Sequence, residues 1–351
     1  MAVRSLDYSA LTDPVARADL VSWRSQARAA GLPWARSTLS IGSVVAIGFC
    51  ALLFVFVFGG AFSSFITDGI QNGKPIDVLF PSLFVLVIVA VTIWAVRARG
   101  GRGGSWERGY RLYRFAAANG MRFQPMDAAP SYPGEIFHIG RDQVVVEHLV
   151  TGGRFLDIGN FSYITGSRKS QTTHHWGFLA LALDRAMPNI VLDAKSNNSL
   201  FGSNLPVTLD RNQVLHLEGD FDKHFTLYCP AEYEQDALYI FTPDLMELLV
   251  DEAAPYDVEL VDQWMFVYSR PFELTDPAVL QRLFTIADTV GAKAVDQSEH
   301  YADDRIGDPD VNIVAPQGAR LRRGVSVIGV VIVVAFVAFW GWNFFGSFVS
   351  P

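Results

Sequence analysis

Three stretches of the chain, 39–62, 76–96 and 325–345, are apolar around every helical face, and Asp77 is the one charged residue in them. Val, Ile, Leu, Phe and Ala leave no polar stripe to meet water, which is the pattern of a helix surrounded by apolar matter on all sides. The 21 residues of the second or third stretch would reach roughly 31 Å as a helix, about the thickness of a hydrocarbon core. The pattern predicts three membrane spans. The first follows about forty mostly hydrophilic residues and is longer than the roughly 7–15 residues of a signal-peptide core, so it reads as a retained span.

Elsewhere the apolar runs are shorter. "DQVVVEHLV" (142–150), "FLDIGNFSYIT" (155–165), "HHWGFLALALD" (174–184), "NIVLDA" (189–194), "QVLHLEGDFDKHFTLYCP" (213–230) and "DALYIF" (236–241) read as strands, and "DVELVDQWMFVYSR" (257–270) as a hairpin or one long strand. Helical spacing appears in "ERGYRLYRFAAANG" (107–120), which Asn119 and Gly120 close. "TPDLMELLVDEA" (242–253) has Thr242 at the cap and Pro243 at the first helical position. In "TDPAVLQRLFTIADTV" (275–290), Leu280, Leu283, Phe284, Ala287 and Val290 share a face. Several strands in succession without intervening helices predict an α+β fold, a mainly antiparallel sheet with a few packed helices, attached to the three transmembrane helices.

These elements divide the chain into 1–36, an N-terminal amphipathic helix; 37–99, two transmembrane helices with a short outer loop; 100–319, the α+β domain; and 320–351, a C-terminal transmembrane helix with a short outer tail. Within 1–36, Asp13 and Pro14 begin the helix and Gly31 and Pro33 end it, with Arg17, Arg24 and Arg28 placed either for lipid headgroups or for packing on the folded domain. Arginines flank the inner ends of all three spans, among them Arg36, Arg97, Arg99, Arg320, Arg322 and Arg323, whereas the loop between spans one and two has only Lys74 against Asp68 and Asp77. Positive charge collects on the cytoplasmic side, so the N-terminus and main domain are expected inside a bacterial cell membrane and the C-terminus outside. A hydrophobic content of 50 % fits a chain that is part membrane and part globular. Gly42 and Ala46 form a small-xxx-small pair that allows a homo-oligomer.

Charge within the globular part is uneven. Residues 230–310 hold 19 Asp and Glu against 4 Lys and Arg, whereas 97–229 hold 15 basic residues against 12 acidic. The acidic surface from 230 to 310 is either a solvated face or a docking face for a basic protein partner. Nucleic acid is excluded as a partner because phosphate neutralisation needs a basic footprint. The lipid bilayer is the other expected partner.

Candidate chemistry centres on 213–230. As a continuous strand, this stretch places His216, Glu218, Asp220, Asp222 and His224 on one face and Leu215, Leu217, Phe221 and Phe225 on the other; a two-residue hairpin at Gly219 and Asp220 would mix them. Asp220, Asp222 and His224 are the one weak metal or acid–base candidate, since alternate strand residues can share an ion. The same spacing arises on any half-exposed strand, so no catalytic, cofactor or metal residue is assigned. "RARGGRGGSW" resembles a phosphate loop only superficially, since no Lys-Ser/Thr pair follows and no strand precedes it. "DPDVN" lacks the glycine and final glutamate of a calcium loop. His174 and His175, being adjacent, point to opposite faces of a strand. Cys229 has no base next to it in sequence, and with Cys50 in the first span no disulfide framework forms in the globular part.

The segments "FLDIGNFSYITGSRKSQTTHHWGFLALALD", "NIVLDAKSNN" and "FDKHFTLYCPAEYEQDALYIFTPDLMELLVD" resemble a group of uncharacterised actinobacterial membrane proteins over roughly residues 100 to 300. That resemblance implies membrane helices joined to a cytoplasmic α+β domain, and no activity, ligand or catalytic residue. The sequence thus points to a membrane-anchored binding or scaffold module that docks a protein partner. The alternatives are a metal-dependent hydrolase or lipid-modifying enzyme using Asp220, Asp222 and His224, or a small-ligand sensor.

Overall fold

The computed structural model describes residues 6–32, 67, 71, 106–128, 130–151, 156–167, 170–198, 203–308 and 310–324. The chain divides into two compact units, one of residues 14–111 and one of residues 1–13 with 112–351.

Helix α1 (Ser9–Thr12) belongs to the unit of residues 1–13 with 112–351, and α2 (Arg17–Ala29) to the unit of residues 14–111. Helix α2 starts after Ala16, and the left-handed Gly31 (φ 67°) follows its end. Its Trp23 meets Trp106 edge-on at 5.6 Å, and the Arg24 and Arg28 guanidinium groups lie 4.9 and 5.9 Å from the centroid of that indole. Two of the arginines expected to face headgroups or the folded domain therefore stack on an aromatic ring.

The expectation of a multi-pass protein of the cell membrane is corrected here. Among the described residues no helix is long and apolar enough to cross a membrane. Helix α2, the longest with stated bounds, has 13 residues, about 20 Å against the roughly 30 Å of a hydrocarbon core. The stretches 39–62, 76–96 and 325–345 lie outside the described residues. The assignment of a cytoplasmic body and an outer C-terminus is withdrawn with it, because flanking charge gives sides only to segments that cross.

The second unit is α+β. Its strands are β1 (Met121–Asp127), β2 (Arg141–Thr151), β3 (Leu156–Ser167), β4 (Ser170–Ala194), β5 (Val214–Leu215), β6 (Phe225–Tyr228) and β7 (Asp257–Ser269), and every pairing is antiparallel. The two runs at 174–184 and 189–194 are a single 25-residue strand, β4. One edge of β4 carries β3 (Leu156↔Leu181 to Ser167↔Ser170) and then β6 (Val191↔Tyr228 to Ala194↔Phe225). The opposite edge carries β7 from Gly177↔Ser269 to Leu192↔Val258, with a bulge where Asp262 adopts φ 50°.

Helix α3 occupies 106–118. Further helices are α4 (Phe221–His224), α5 (Glu234–Ile240), α6 (Pro243–Leu248), α7 (Pro277–Ile286) and α8 (Ala292–Glu299), with π-helical turns at Leu249–Ala253 and Ala287–Gly291. Thr242 precedes α6 as expected, although its hydroxyl bonds the Asp244 carboxylate rather than a backbone N–H. The run 236–241, read as a strand, is mostly helical: Tyr233, Ala237 and Ile240 recur at helical spacing and are buried, while Leu238 and Tyr239 between them are exposed. A short apolar run fits both periods, and here tertiary packing selects the helix.

Alternate residues of the long strands sort to two faces. Leu179, Leu181, Ile190, Leu192, Val258, Leu260 and Val267 join the helices through Ala237, Leu245, Leu280, Leu283, Ile286 and Ala294 in the larger core. Phe178, Ala180, Phe161, Tyr163, Phe266 and Tyr268 form a second core under Ile136 and Phe137, which belong to a short 3-10 turn (Glu135–His138). The sheet is therefore covered on both faces, by helices on one and by the extended segment 130–139 on the other.

Candidate functional site

The stretch 213–230 is neither a continuous strand nor a two-residue hairpin. Strand β5 pairs with β6 through Val214↔Tyr228 and Leu215↔Leu227, and the connection turns at Gly219 (φ 74°) into the single turn α4. The chain reverses because Leu217, Phe221 and Phe225 are all buried in the same core, which a straight strand crossing Gly219 would not permit. Asp220, Asp222 and His224 are consequently not brought together as a metal set. Asp220 pairs with Lys223 at 2.6 Å, and Asp222 lies 2.7 Å from His216 Nδ1 and accepts the Leu217 N–H at 3.4 Å. Glu218 has no part in either contact. Among the described residues no three His, Cys, Asp or Glu side chains group closely enough to hold a metal ion.

The remaining candidates have structural roles. Cys229 is buried, and burial with the nearby Glu234 and Asp236 charges pushes its thiol up to about 12, far from a thiolate. His174 stacks on Tyr163 and lies 2.8 Å from the Thr165 hydroxyl, while His175 on the opposite face is exposed. In "DPDVN", Asn312 accepts the Ala186 N–H at 2.7 Å.

The acidic stretch 230–310 supplies the outer helical layer. Helix α5 is tied to the segment after α8, where the Tyr301 hydroxyl donates to Asp236 at 2.9 Å and Arg305 pairs with Asp236 at 3.1 Å and Asp303 at 3.3 Å. Arg305 also lies over the Tyr233 ring, 3.8 Å from its centroid, so this cation is spent on the fold. Lys293 and Arg282 are likewise paired, with Asp244 at 2.5 Å and Glu252 at 2.7 Å. Glu232, Glu234, Asp296, Glu299 and Asp304 are exposed and form no ion pair among the described residues. An open groove enclosing about 1150 Å³, bordering solvent included, runs between Gln235 and Tyr239 of α5 and the segment 300–305. Tyr239 in its wall is 50 % exposed.

The other face of the sheet carries polar groups that the sequence pattern did not single out. Asn189, Val191 and Asp193 of β4 and Asp257 and Glu259 of β7 alternate with core residues, so they project together away from the helices. Glu259 is 1 % exposed; it accepts Tyr268 Oη at 2.8 Å, Asn189 Nδ2 at 2.8 Å and the Glu135 N–H at 3.0 Å. Burial pushes its carboxyl up to about 7 despite those hydrogen bonds. Above it is a cleft walled by Leu205, Val207, Leu321 and Arg323, where Arg323 pairs with Glu135 at 2.5 Å. The cleft encloses about 410 Å³, of which only about 20 Å³ admits the centre of a water molecule, too little for an organic ligand.

A third polar group lies under 130–139. Tyr132 donates to Asp157 at 2.5 Å and lies 3.1 Å from His148 Nε2, with Trp264, Phe178 and Phe266 packed around its ring. Burial pushes His148 down and Asp157 up, so the pair is held toward its neutral form. The signal for the Glu259 group in the sequence was Asn189, Asp193, Asp257 and Glu259 on one face of their strands, with the apolar Val191 between the first two; it was indistinguishable from the wet side of an edge strand.

No protein-family model and no curated protein matches the chain. Among solved structures, the crystal structure of the mycobacterial trehalose monomycolate transport factor A is similar, at 13 % identity over 54 % of this chain and 91 % of that one, with a TM-score of 0.34. A likeness at that score carries no argument about function.

Proposed function

We propose that the protein is a binding module whose acidic groove between α5 and the segment 300–305 docks a basic segment of a partner protein. The observation that carries this reading is the groove wall itself, where the unpaired Asp304 and the half-exposed Tyr239 stand together with the one cation, Arg305, already engaged. Arg305 in the groove wall is already paired, so Asp304 in the wall, with the exposed Glu234 and Glu299 next to the lining residues in sequence, is left to meet a cation from outside, and Tyr239 offers the apolar contact that gives such a site affinity. The groove is too open to sequester a small substrate from water, and no nucleophile with an adjacent base opens into it.

A photo-crosslinking side chain at Tyr239 of the full chain, used in cells, should give one discrete adduct. Glu234→Lys with Asp304→Lys should reduce it by about tenfold through like-charge repulsion. The same adduct from a crosslinker at the exposed Gln263 of β7, or one indifferent to both charge reversals, would overturn the assignment.

A further inference from the structure

Helix α2 carries Arg17, Arg24 and Arg28 against a single acid, Asp19. At about 3.6 residues per turn the three arginines fall along one stripe, with the exposed Val21 among them, and Asp19 falls on the opposite side. Like charges four residues apart on a helix repel. The fold nevertheless gathers two of them on one ring, since the Arg24 and Arg28 guanidinium carbons lie 4.9 and 5.9 Å from the centroid of the Trp106 indole. Trp23 fixes that indole edge-on at 5.6 Å and itself lies 5.6 Å from the Tyr110 ring.

Among the described residues neither guanidinium has a carboxylate partner or a side-chain hydrogen bond. Glu107, next to Trp106 in the chain, is taken by Arg111 at 3.0 Å. Arg282, Arg305 and Arg323, by contrast, are each paired with an acid. An indole face offsets part of a cation's charge but offers no lone pair to its N–H groups. Two planar forks of donors therefore stand together uncommitted, Arg28 exposed and Arg24 half-buried.

An anion that took both forks at once would also offset the repulsion between the two charges. A carboxylate has oxygens for one fork. A terminal phosphate presents three strong acceptor oxygens and close to two negative charges at neutral pH, enough for both.

We propose that Arg24 and Arg28, held on Trp106, bind a phosphate monoester group, carried by a lipid headgroup or by a free phosphate, with Arg17 adding positive charge along the same stripe. The site belongs to the unit of residues 14–111 and does not depend on the reading of the groove.

Two probes offered to the full chain separate the sources: inorganic phosphate, and vesicles of phosphatidylcholine carrying phosphatidic acid. Saturable uptake of inorganic phosphate assigns the site to a free phosphate; uptake on the vesicles alone assigns it to a lipid headgroup. Phosphatidylglycerol, an anionic diester with fewer free oxygens, should hold the chain about tenfold more weakly than phosphatidic acid in the same vesicles. Arg24→Gln with Arg28→Gln should lower binding of the probe taken up by about thirtyfold, the loss expected for two basic side chains at an anionic surface. Arg24→Lys with Arg28→Lys keeps both charges, should fold as the native chain does, and should lose about tenfold because the planar fork is gone. Arg270→Gln, the same charge change at an exposed arginine of the other unit, should leave binding as it is. No uptake of either probe, phosphatidylglycerol bound as tightly as phosphatidic acid, a lysine pair that binds like the native chain, or an equal loss in Arg270→Gln would overturn the proposal, the last three by reducing it to general charge attraction.

Discussion

Glu259 accepts three hydrogen bonds without a counter-charge, and its titration is the clearest consequence of a single residue in this fold. Its carboxyl moves from 4.5 to about 7 on folding because burial outweighs the donors around it. The folded state therefore holds this proton more tightly than the unfolded chain does. The resulting stabilisation is full below 4.5 and is lost as pH rises through about 7. Glu259→Gln should remain folded: its carbonyl can take the Tyr268 and Glu135 donors, and its NH₂ can face the Asn189 amide once that group turns over. Equilibrium unfolding across this pH range should show native stability falling relative to the variant by on the order of 3 kcal/mol. A difference that stays level with pH would mean that Glu259 does not titrate there.

At the scale of elements, the segment 130–139 decides which polar residues are buried, and it passes over the sheet with no room to spare. A Cβ on Gly134 would sit 2.1 Å from the Tyr268 hydroxyl. Its backbone is ordinary (φ −61°, ψ 149°), so Gly134→Ala would change space rather than conformation. The substitution should cost about 1–3 kcal/mol in denaturant unfolding by overpacking. It should cost less in a Tyr268→Phe background, where the obstructing oxygen is gone; equal costs in the two backgrounds would place the strain elsewhere. Element identity was legible where periodicity and punctuation agreed. Pro243 and Pro277 each stand at the first position of a helix, Asn119 and Gly120 follow α3, and β7 is one strand. It was not legible where one run served two periods: 236–241 became α5, 213–230 broke at Gly219, and two runs merged into β4.

For the whole molecule the governing quantity is a net charge of −8 with the acidic excess gathered in 230–310. Self-repulsion of that kind is screened within about 10 Å at 0.1 M salt. The unfolding midpoint at neutral pH should therefore rise from low to moderate sodium chloride, with repulsion among exposed carboxylates outweighing the pairs at Arg282, Lys293 and Arg305. A falling midpoint would put those ion pairs first.

Local periodicity in the chain was enough to establish an α+β body with a mainly antiparallel sheet, several helix starts and an acidic helical half, because each depends on residues that are neighbours in sequence. Periodicity also led to a multi-pass membrane protein, which the described helices do not support. It could not say whether Asp193, Asp257 and Glu259 are wet or dry. A two-residue alternation assigns them to a face and is silent about what covers it. The covering pieces are the 130–139 segment and the loop after β4, and long-range packing alone brings them there. Desolvation by those distant segments is what raises all three carboxyls, Asp257 and Glu259 up to about 7.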